Sequence, residues 1–213
     1  MTGRRAACAA VLVVLLTGCG SGAQDNDDAK ASATAEDSSV AHRGGSLGAE
    51  GSACELPVTF DIAKEWKAEA VDGSVDGEVS QDIADALLRQ GPVALVCEVD
   101  AKPAGNIGFL RAWTGEPGGD DARTVLEAFV AAQDGVSKEQ YDTFTAGDLT
   151  GAEVTYLYSD EFLDESKEES ALAVSTAQGP VVLHLGGLDT EEHRAMLPAF
   201  ELAKKTLRTG GNE

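Results

Sequence analysis

The residues of this sequence that could do chemistry are four cysteines, three histidines and a large excess of carboxylates. A thiolate can act as a nucleophile or bind a metal, and an imidazole can act as a general base near neutral pH. Several patterns that organise such groups are missing from the sequence: Ser-x-x-Lys, the Walker loop, His-Glu-x-x-His and Cys-x-x-Cys. We therefore predict that the protein is not an enzyme and that it holds no cofactor and no metal ion.

His184 has the most informative position of the three histidines. It lies between Leu183 and Leu185 in an apolar run that predicts a strand. We interpret it as a sheet histidine that is hydrogen-bonded or faces solvent, with a catalytic base as the alternative. His193 is expected on the exposed first turn of the last helix. The abundant carboxylates keep a small enzyme open, such as a cell-wall hydrolase, because a catalytic carboxylate pair is defined by its separation and not by its number.

One acidic segment matches the beginning of a calcium-binding loop. Residues 72–78, with the sequence DGSVDGE, place oxygen ligands and a glycine where an EF-hand loop has them. Ile83 stands where that loop has its bidentate glutamate, and the preceding residues predict a strand and not a helix. We therefore predict a polar turn at this segment, with calcium binding as the alternative.

The charge of the chain limits its partners. There are 37 acidic and 16 basic side chains, which give a formal net charge of -21. Such a charge repels phosphate backbones and anionic lipid headgroups, so we exclude nucleic acid as a partner. The low aromatic content, 5% of the residues, also argues against stacking on nucleobases.

The first eighteen residues have the form of an export signal. Arg4 and Arg5 precede an apolar run over residues 6–16 that is too short to span a bilayer. The following string Leu16-Thr17-Gly18-Cys19 resembles the lipobox of bacterial lipoproteins. That resemblance implies cleavage after residue 18 and a lipid on Cys19, which becomes the new N-terminus at the outer face of the cell membrane. An ordinary secretory signal and twin-arginine export are the alternatives.

A tether is predicted to follow the lipidation site. Residues 20–53 are rich in Ser, Gly, Ala and Asp, and they contain too few large apolar side chains to offset the entropy of folding. We therefore predict three segments: a signal peptide over 1–18, a lipidated cysteine and disordered acidic tether over 19–53, and a single domain over 54–213.

Cys54 and Cys97 are the two cysteines left in the predicted domain. An exported protein matures in an oxidising compartment, which favours a disulfide between them, with two buried free thiols as the alternative. Strict period-two alternation places Cys97 on one apolar face with Val93, Leu95 and Val99.

The domain is predicted to mix helices and strands. Helical spacing indicates a helix around residues 81–90 and a second over 121–133 behind the cap candidates Asp120 and Asp121. A last helix is indicated over 190–208, with Asp189 or Thr190 as its cap, and it either kinks or breaks at Pro198. Runs with strand character precede, separate and follow the first two helices: 57–62, 66–71, 93–99, 106–113, 141–146, 153–158, 171–177 and 181–185. The unbroken succession of strands from 141 to 185 predicts an antiparallel meander.

The order of these elements resembles the actinobacterial LpqN-type lipoproteins with a Mog1/PsbP-like domain. The similarity rests on the lipobox, the acidic tether, the early strands with Trp66, the helix at 121–133, and the string GDLTGAE at 147–153 before the meander. It implies an α+β fold, a central antiparallel sheet flanked by helices on both faces in an α/β/α sandwich. It also implies a non-catalytic binding or accessory role.

The sequence thus predicts a membrane-anchored cell-envelope lipoprotein that works by binding. Its partners would be the membrane, through the lipid, and an envelope protein or a cell-wall component. The acidic loop 159–169 contains Phe162 and Leu163, which either anchor the loop on the domain or form a docking spot for a partner.

Overall fold

The computed structural model describes residues 40–72, 88–160 and 165–210. Several predictions lie outside these residues: the signal peptide, the lipidation site Cys19, most of the tether, the core of the helix predicted at 81–90, and Phe162 and Leu163. In the described part of the chain, no helix is long and apolar enough to cross a membrane.

Most of the described chain is β-structure. Its eleven strands are β1 (Arg43–Leu47), β2 (Val58–Ala63), β3 (Lys67–Ala70), β4 (Arg89–Gln90), β5 (Val93–Asp100), β6 (Gly108–Thr114), β7 (Val136–Ala146), β8 (Leu149–Asp160), β9 (Glu165–Thr176), β10 (Gly179–Gly187) and β11 (Arg208–Thr209). The two α-helices are α1 (Ala122–Ala131) and α2 (Thr190–Thr206), and a short 3-10 turn spans Lys102–Ala104.

The strands form a large and a small sheet. The large sheet has the order β3-β5-β6-β10-β9-β8-β7, with β4 added beside β5, and every pairing in it is antiparallel. Strands β7 to β10 pair with their neighbours along the chain, so the predicted meander is confirmed. The α+β class with a central antiparallel sheet is confirmed as well.

The folded domain begins before Cys54, which corrects the predicted boundary. Strand β1 pairs with β2 from Arg43 opposite Ala63 to Leu47 opposite Phe60, and β11 pairs with the other edge of β2. Leu47 is only 3% exposed. The prediction of a tether up to residue 53 was wrong for this part because backbone pairing needs no apolar composition.

Leu47→Ala is expected to lower the free energy of unfolding by about 2 kcal/mol, because it removes buried methyl groups from the core. Urea unfolding followed by tryptophan fluorescence measures this loss. Glu50→Ala is the control, since Glu50 is exposed and lies in the same stretch of the predicted tether. If Leu47→Ala changes stability no more than this control does, β1 does not belong to the folded domain.

The predicted disulfide between Cys54 and Cys97 is present, with 6.0 Å between the two Cα atoms. Both cysteines are buried.

Strand β5 contains a register shift between Leu95 and Cys97, so the face on which its side chains lie changes there. Cys97 and Val99 pack in one core cluster, whereas Val93 and Leu95 pack in another, and this corrects the single apolar face predicted from strict alternation.

Both helices have the caps that their sequences suggest. The Asp121 carboxylate accepts a hydrogen bond from the Thr124 N–H at 2.8 Å, and the Asp189 carboxylate accepts one from the Glu192 N–H at 2.8 Å. The sequence left open whether the last helix breaks at Pro198. Helix α2 runs through Pro198 without a break.

The end predicted for the helix at 81–90 is wrong. Arg89 and Gln90 form strand β4, which pairs with Ala94 and Val93 of β5. Gly91 has a φ of 58°, and a Cβ there would lie 2.6 Å from the Ala128 carbonyl oxygen. The Gly-Pro signal after residue 90 therefore marks a tight connection between two strands and not the end of a helix.

The buried side chains form two clusters, one around each helix. The cluster of α2 contains Leu172 and Val174 of β9. The cluster of α1 contains Ala171 and Ala173 of the same strand, together with Val125, Leu126, Phe129 and Val130 of the helix. The candidate site lies at one end of β6, β8, β9 and β10.

Candidate functional site

A cavity of about 750 Å³ lies at one end of β6, β8, β9 and β10. Its wall includes Phe109 and Arg111 of β6, Tyr158 of β8, and Lys167 and Glu169 of β9. The volume is within the range of small-molecule sites in proteins. This cavity is therefore the best candidate for a functional site in the described residues.

The strand register brings the polar residues of this cavity together. Tyr156 pairs with Glu169 and Tyr158 with Lys167 across β8 and β9, while His184 pairs with Arg111 across β10 and β6. Side chains two residues apart on a strand point to the same face of the sheet. The same alternation places Glu169 on the face of Ala171 and Ala173, next to the cluster of α1.

Glu169 is the centre of a buried hydrogen-bond network. Its Oε2 atom lies 3.0 Å from Nε2 of His184 and accepts a hydrogen bond from the Tyr156 hydroxyl at 3.1 Å. Gln133, just after α1, lies against both groups: its Oε1 is 2.9 Å from the Tyr156 hydroxyl and its Nε2 is 3.4 Å from Glu169 Oε2. Glu169 is 3% exposed, Tyr156 1% and His184 6%.

Lys167 connects this network to the cavity. Its ammonium lies 3.1 Å from Oε1 of Glu169 and donates a hydrogen bond to the Gly187 carbonyl at 2.8 Å. Gly186 also lines the cavity, and a Cβ on it would lie 3.6 Å from the same Oε1 atom. Because glycine has no side chain, this oxygen stays close to the open space of the cavity.

The network keeps Glu169 ionised and Tyr156 neutral. Burial acts to raise the pKa of Glu169, but the hydrogen bond and charge of His184 and then those of Lys167 outweigh it and lower the pKa from 4.5 to about 2. Burial and the adjacent Glu169 raise the pKa of Tyr156 far above its usual value. Neither group is poised to exchange a proton near neutral pH, which is what general acid-base catalysis would require.

Two basic side chains lie beside the Phe109 ring on the cavity wall. The Arg111 guanidinium lies 5.0 Å from the centre of the Phe109 ring, and the Lys102 ammonium lies 5.5 Å from it. Arg111 also pairs with Glu98 through its Nε atom at 2.6 Å. Two cations therefore share one aromatic ring at the edge of the cavity.

His193 is buried, which corrects the prediction of an exposed histidine. It lies in the first turn of α2 and is 1% exposed, with its Nε2 atom 3.1 Å from the Ser170 hydroxyl. Burial lowers the pKa of His193 and so favours its neutral form. It belongs to the core around α2 and is not among the residues that line the cavity.

The predicted site residues lie apart from this cavity or outside the described chain. Cys54 and Cys97 are joined in the core, whereas Cys19, Phe162 and Leu163 are among the residues not described. Of the calcium-like segment, only Asp72 is described. Within the described ranges, no three His, Cys, Asp or Glu side chains form a group that could hold a metal ion.

A Gly-x-Ser-x-Gly string occurs at residues 44–48, the spacing of the nucleophile elbow of α/β-hydrolases. Ser46 of this string lies on β1, and its hydroxyl donates a hydrogen bond to the Phe60 carbonyl at 3.2 Å. An elbow needs a sharp turn from a strand into a helix, but here β1 leads into turns before β2. The string is therefore part of a strand pairing and does not present a nucleophile.

Comparisons with known proteins give a family and a distant structural likeness. The model of a family described as "Uncharacterised lipoprotein" matches residues 24–207. No curated protein matches the sequence. Among solved structures, the chain is similar to the cyanobacterial PsbP protein CyanoP from Synechocystis sp. PCC 6803, with 10% identity, a TM-score of 0.46, and coverage of 72% of this chain and 86% of that one.

Proposed function

Because this chain belongs to the family of uncharacterised lipoproteins, we propose that it is a cell-envelope protein held at the outer face of the cell membrane by a lipid on Cys19. Its domain acts there as a non-catalytic binding or accessory module. The observation that carries the binding role is the cavity at the end of β6 and β8 to β10, whose buried polar groups are already bonded to one another.

The non-catalytic role rests on the state of the groups in the cavity. The carboxylate of Glu169 interacts with Lys167, His184 and Tyr156, so it is not free to attack a substrate. A buried, fully bonded network rigidifies a site, which suits recognition better than proton transfer. A small cell-wall hydrolase is the alternative, and His184 would be its candidate base.

The anchor is tested by Cys19→Ala. This variant is expected to move the protein from the detergent phase to the aqueous phase or the medium, because a chain without its lipid has no acyl tail to partition. Phase separation in a non-ionic detergent followed by immunoblotting measures the shift. Cys8→Ala is the matched control, since Cys8 lies in the predicted signal and should leave partitioning unchanged. Unchanged partitioning of Cys19→Ala would disprove the anchor.

The partner that we propose is an envelope protein with a basic patch or a cell-wall component. The net charge of -21 favours cationic or neutral partners and weakens such contacts as salt increases. Photo-crosslinking in intact cells, with the reactive residue placed at cavity positions such as Tyr158, identifies the attached molecule. Hydrolysis of peptidoglycan or of model esters that is lost in His184→Gln would instead show that the domain is an enzyme.

We also propose that one helix lies on each face of the large sheet. Neighbouring residues of β9 alternate between the cluster of α2 and that of α1, and alternate side chains of a strand point to opposite faces. This alternation supports a helix on each face of the large sheet, as in the Mog1/PsbP-like sandwich.

A further inference from the structure

Two exposed apolar side chains stand at the mouth of the cavity. Ile107 is 47% exposed and Leu188 is 59% exposed, and they are the large hydrophobic residues that the described part of the chain leaves most open to solvent. Both line the cavity, and the Leu188 N–H donates a hydrogen bond to the Ile107 carbonyl at 2.9 Å, which holds the two residues together. Exposed apolar groups concentrated at a concave site indicate contact with an apolar ligand.

Unpaired donors lie in the same cavity. Within residues 40–72, 88–160 and 165–210, the Lys102 ammonium forms no ion pair, and it lies 5.5 Å from the centre of the Phe109 ring. Arg111 uses its Nε atom for Glu98, which leaves its terminal N–H groups for another acceptor. The guanidinium lies 5.0 Å and the ammonium 5.5 Å from the centre of the Phe109 ring, so this part of the cavity wall offers charged donors to an anionic group.

Two of the carboxylates on the cavity wall already have partners. Glu169 is bonded to Lys167, His184 and Tyr156. Asp189 is occupied as the cap of α2. These two carboxylates are thus in use, whereas the Lys102 ammonium and the terminal N–H groups of Arg111 remain available beside the exposed apolar residues.

We propose that the cavity binds one molecule of a single-chain amphiphile with a phosphate or carboxylate head. The head lies against Lys102 and Arg111, and the tail lies on Ile107, Leu188 and the Phe109 ring. This inference rests on the proposed binding function and names its ligand class. The overall negative charge repels anions at long range, so the affinity comes from burial of the tail together with these local donors.

The test is calorimetric titration of the mature chain with dodecyl phosphate below its micelle concentration. The chain carries Cys19→Ala so that no detergent is needed. We expect saturable binding of one molecule per chain, weakened about tenfold by Lys102→Gln or Arg111→Gln through loss of a charged hydrogen bond. Leu188→Ser is expected to weaken binding several-fold by exposing the tail. Lys205→Gln is the matched control, because Lys205 is an exposed lysine of α2 that does not line the cavity.

Three further ligands make the result decisive. Inorganic phosphate alone should bind much more weakly, and equal binding would overturn the role of the tail. Dodecyltrimethylammonium should also bind more weakly, and equal binding would overturn the role of the cations. Binding to vesicles of anionic phospholipid without binding of dodecyl phosphate would indicate a membrane surface and would overturn the proposal.

The failure of this inference is distinguishable from failure of the proposed function. If dodecyl phosphate does not bind but cross-linking in cells still captures a partner at the domain, the ligand class is wrong and the binding role stands. If neither ligand nor partner is found and the domain hydrolyses a substrate, the binding role itself is wrong.

Discussion

Replacing Cys97 by alanine is expected to lower the free energy of unfolding by about 4 kcal/mol. Cys54 and Cys97 are 43 residues apart, and removing a cross-link of that span returns a large amount of conformational freedom to the unfolded chain. The bond also joins the segment before β2 to strand β5 of the large sheet. Because a small domain has a total stability of about 5 to 15 kcal/mol, this loss is a large share of what keeps the domain folded.

Urea unfolding with and without reductant measures the effect. The wild-type chain should lose the same stability when it is reduced, whereas the Cys97→Ala variant should not respond to reductant. Ser52→Ala is a control in the same turn, since Ser52 only hydrogen-bonds backbone groups nearby. Identical unfolding curves for oxidised and reduced wild type would show that the bridge contributes nothing.

The main elements of the fold could be predicted because their signals are local. Helix α1 follows from apolar residues at helical spacing behind the Asp121 cap, and the meander follows from strand-like runs separated by short turns. The helix α2 also matched its pattern, although Pro198 lies inside it. Its neighbours in the helix pack into the core, and tertiary packing outweighs the loss of one backbone donor at the proline.

The errors came from contacts that are distant in the sequence. Strand β1 looks like a linker because its stability comes from pairing with β2 and not from its composition. The bulge in β5 is set by pairing with β6, so the alternation of residues 93–99 could not reveal it. His193 is buried because Ser170 on β9 lies against it, and the spacing of α2 alone does not show that contact.

Most of the candidate site was missed for the same reason, because its contacts are set by strand pairing. Glu169 is the exception. Glu168 and Glu169 belong to the segment predicted as an acidic loop over 159–169, and that prediction is wrong for its second half, because β9 begins at Glu165 and continues through them. Extending the predicted strand at 171–177 backwards in steps of two places Glu169 on the face of Ala171 and Ala173. That alternation was the available signal for a buried carboxylate, whereas the partners Tyr156 and His184 are set by register.

Glu169→Gln is expected to lower the free energy of unfolding by about 3 kcal/mol at pH 7, because it removes the buried charge that holds Lys167 and His184. In the folded protein the pKa of Glu169 falls from 4.5 to about 2, since the bonds and charges of His184 and Lys167 outweigh the effect of burial. A depressed pKa stabilises the folded state fully above pH 4.5, and this contribution is lost as the pH falls towards 2. The variant should therefore be less stable at neutral pH and less sensitive to acid.

The measurement that decides this is urea unfolding of wild type and variant at pH 7, 5, 4 and 3. The neighbouring Glu168→Gln is the matched control: its carboxylate pairs with Arg194, whose side chain is 63% exposed, so its loss should cost less than about 1 kcal/mol. The wild-type and Glu169→Gln curves should converge as the pH falls below 4.5, because protonation removes from the wild type the charge that the variant already lacks. Equal losses for the two variants, or a constant difference between wild type and Glu169→Gln down to pH 3, would mean that the Glu169 carboxylate does not hold this end of the sheet.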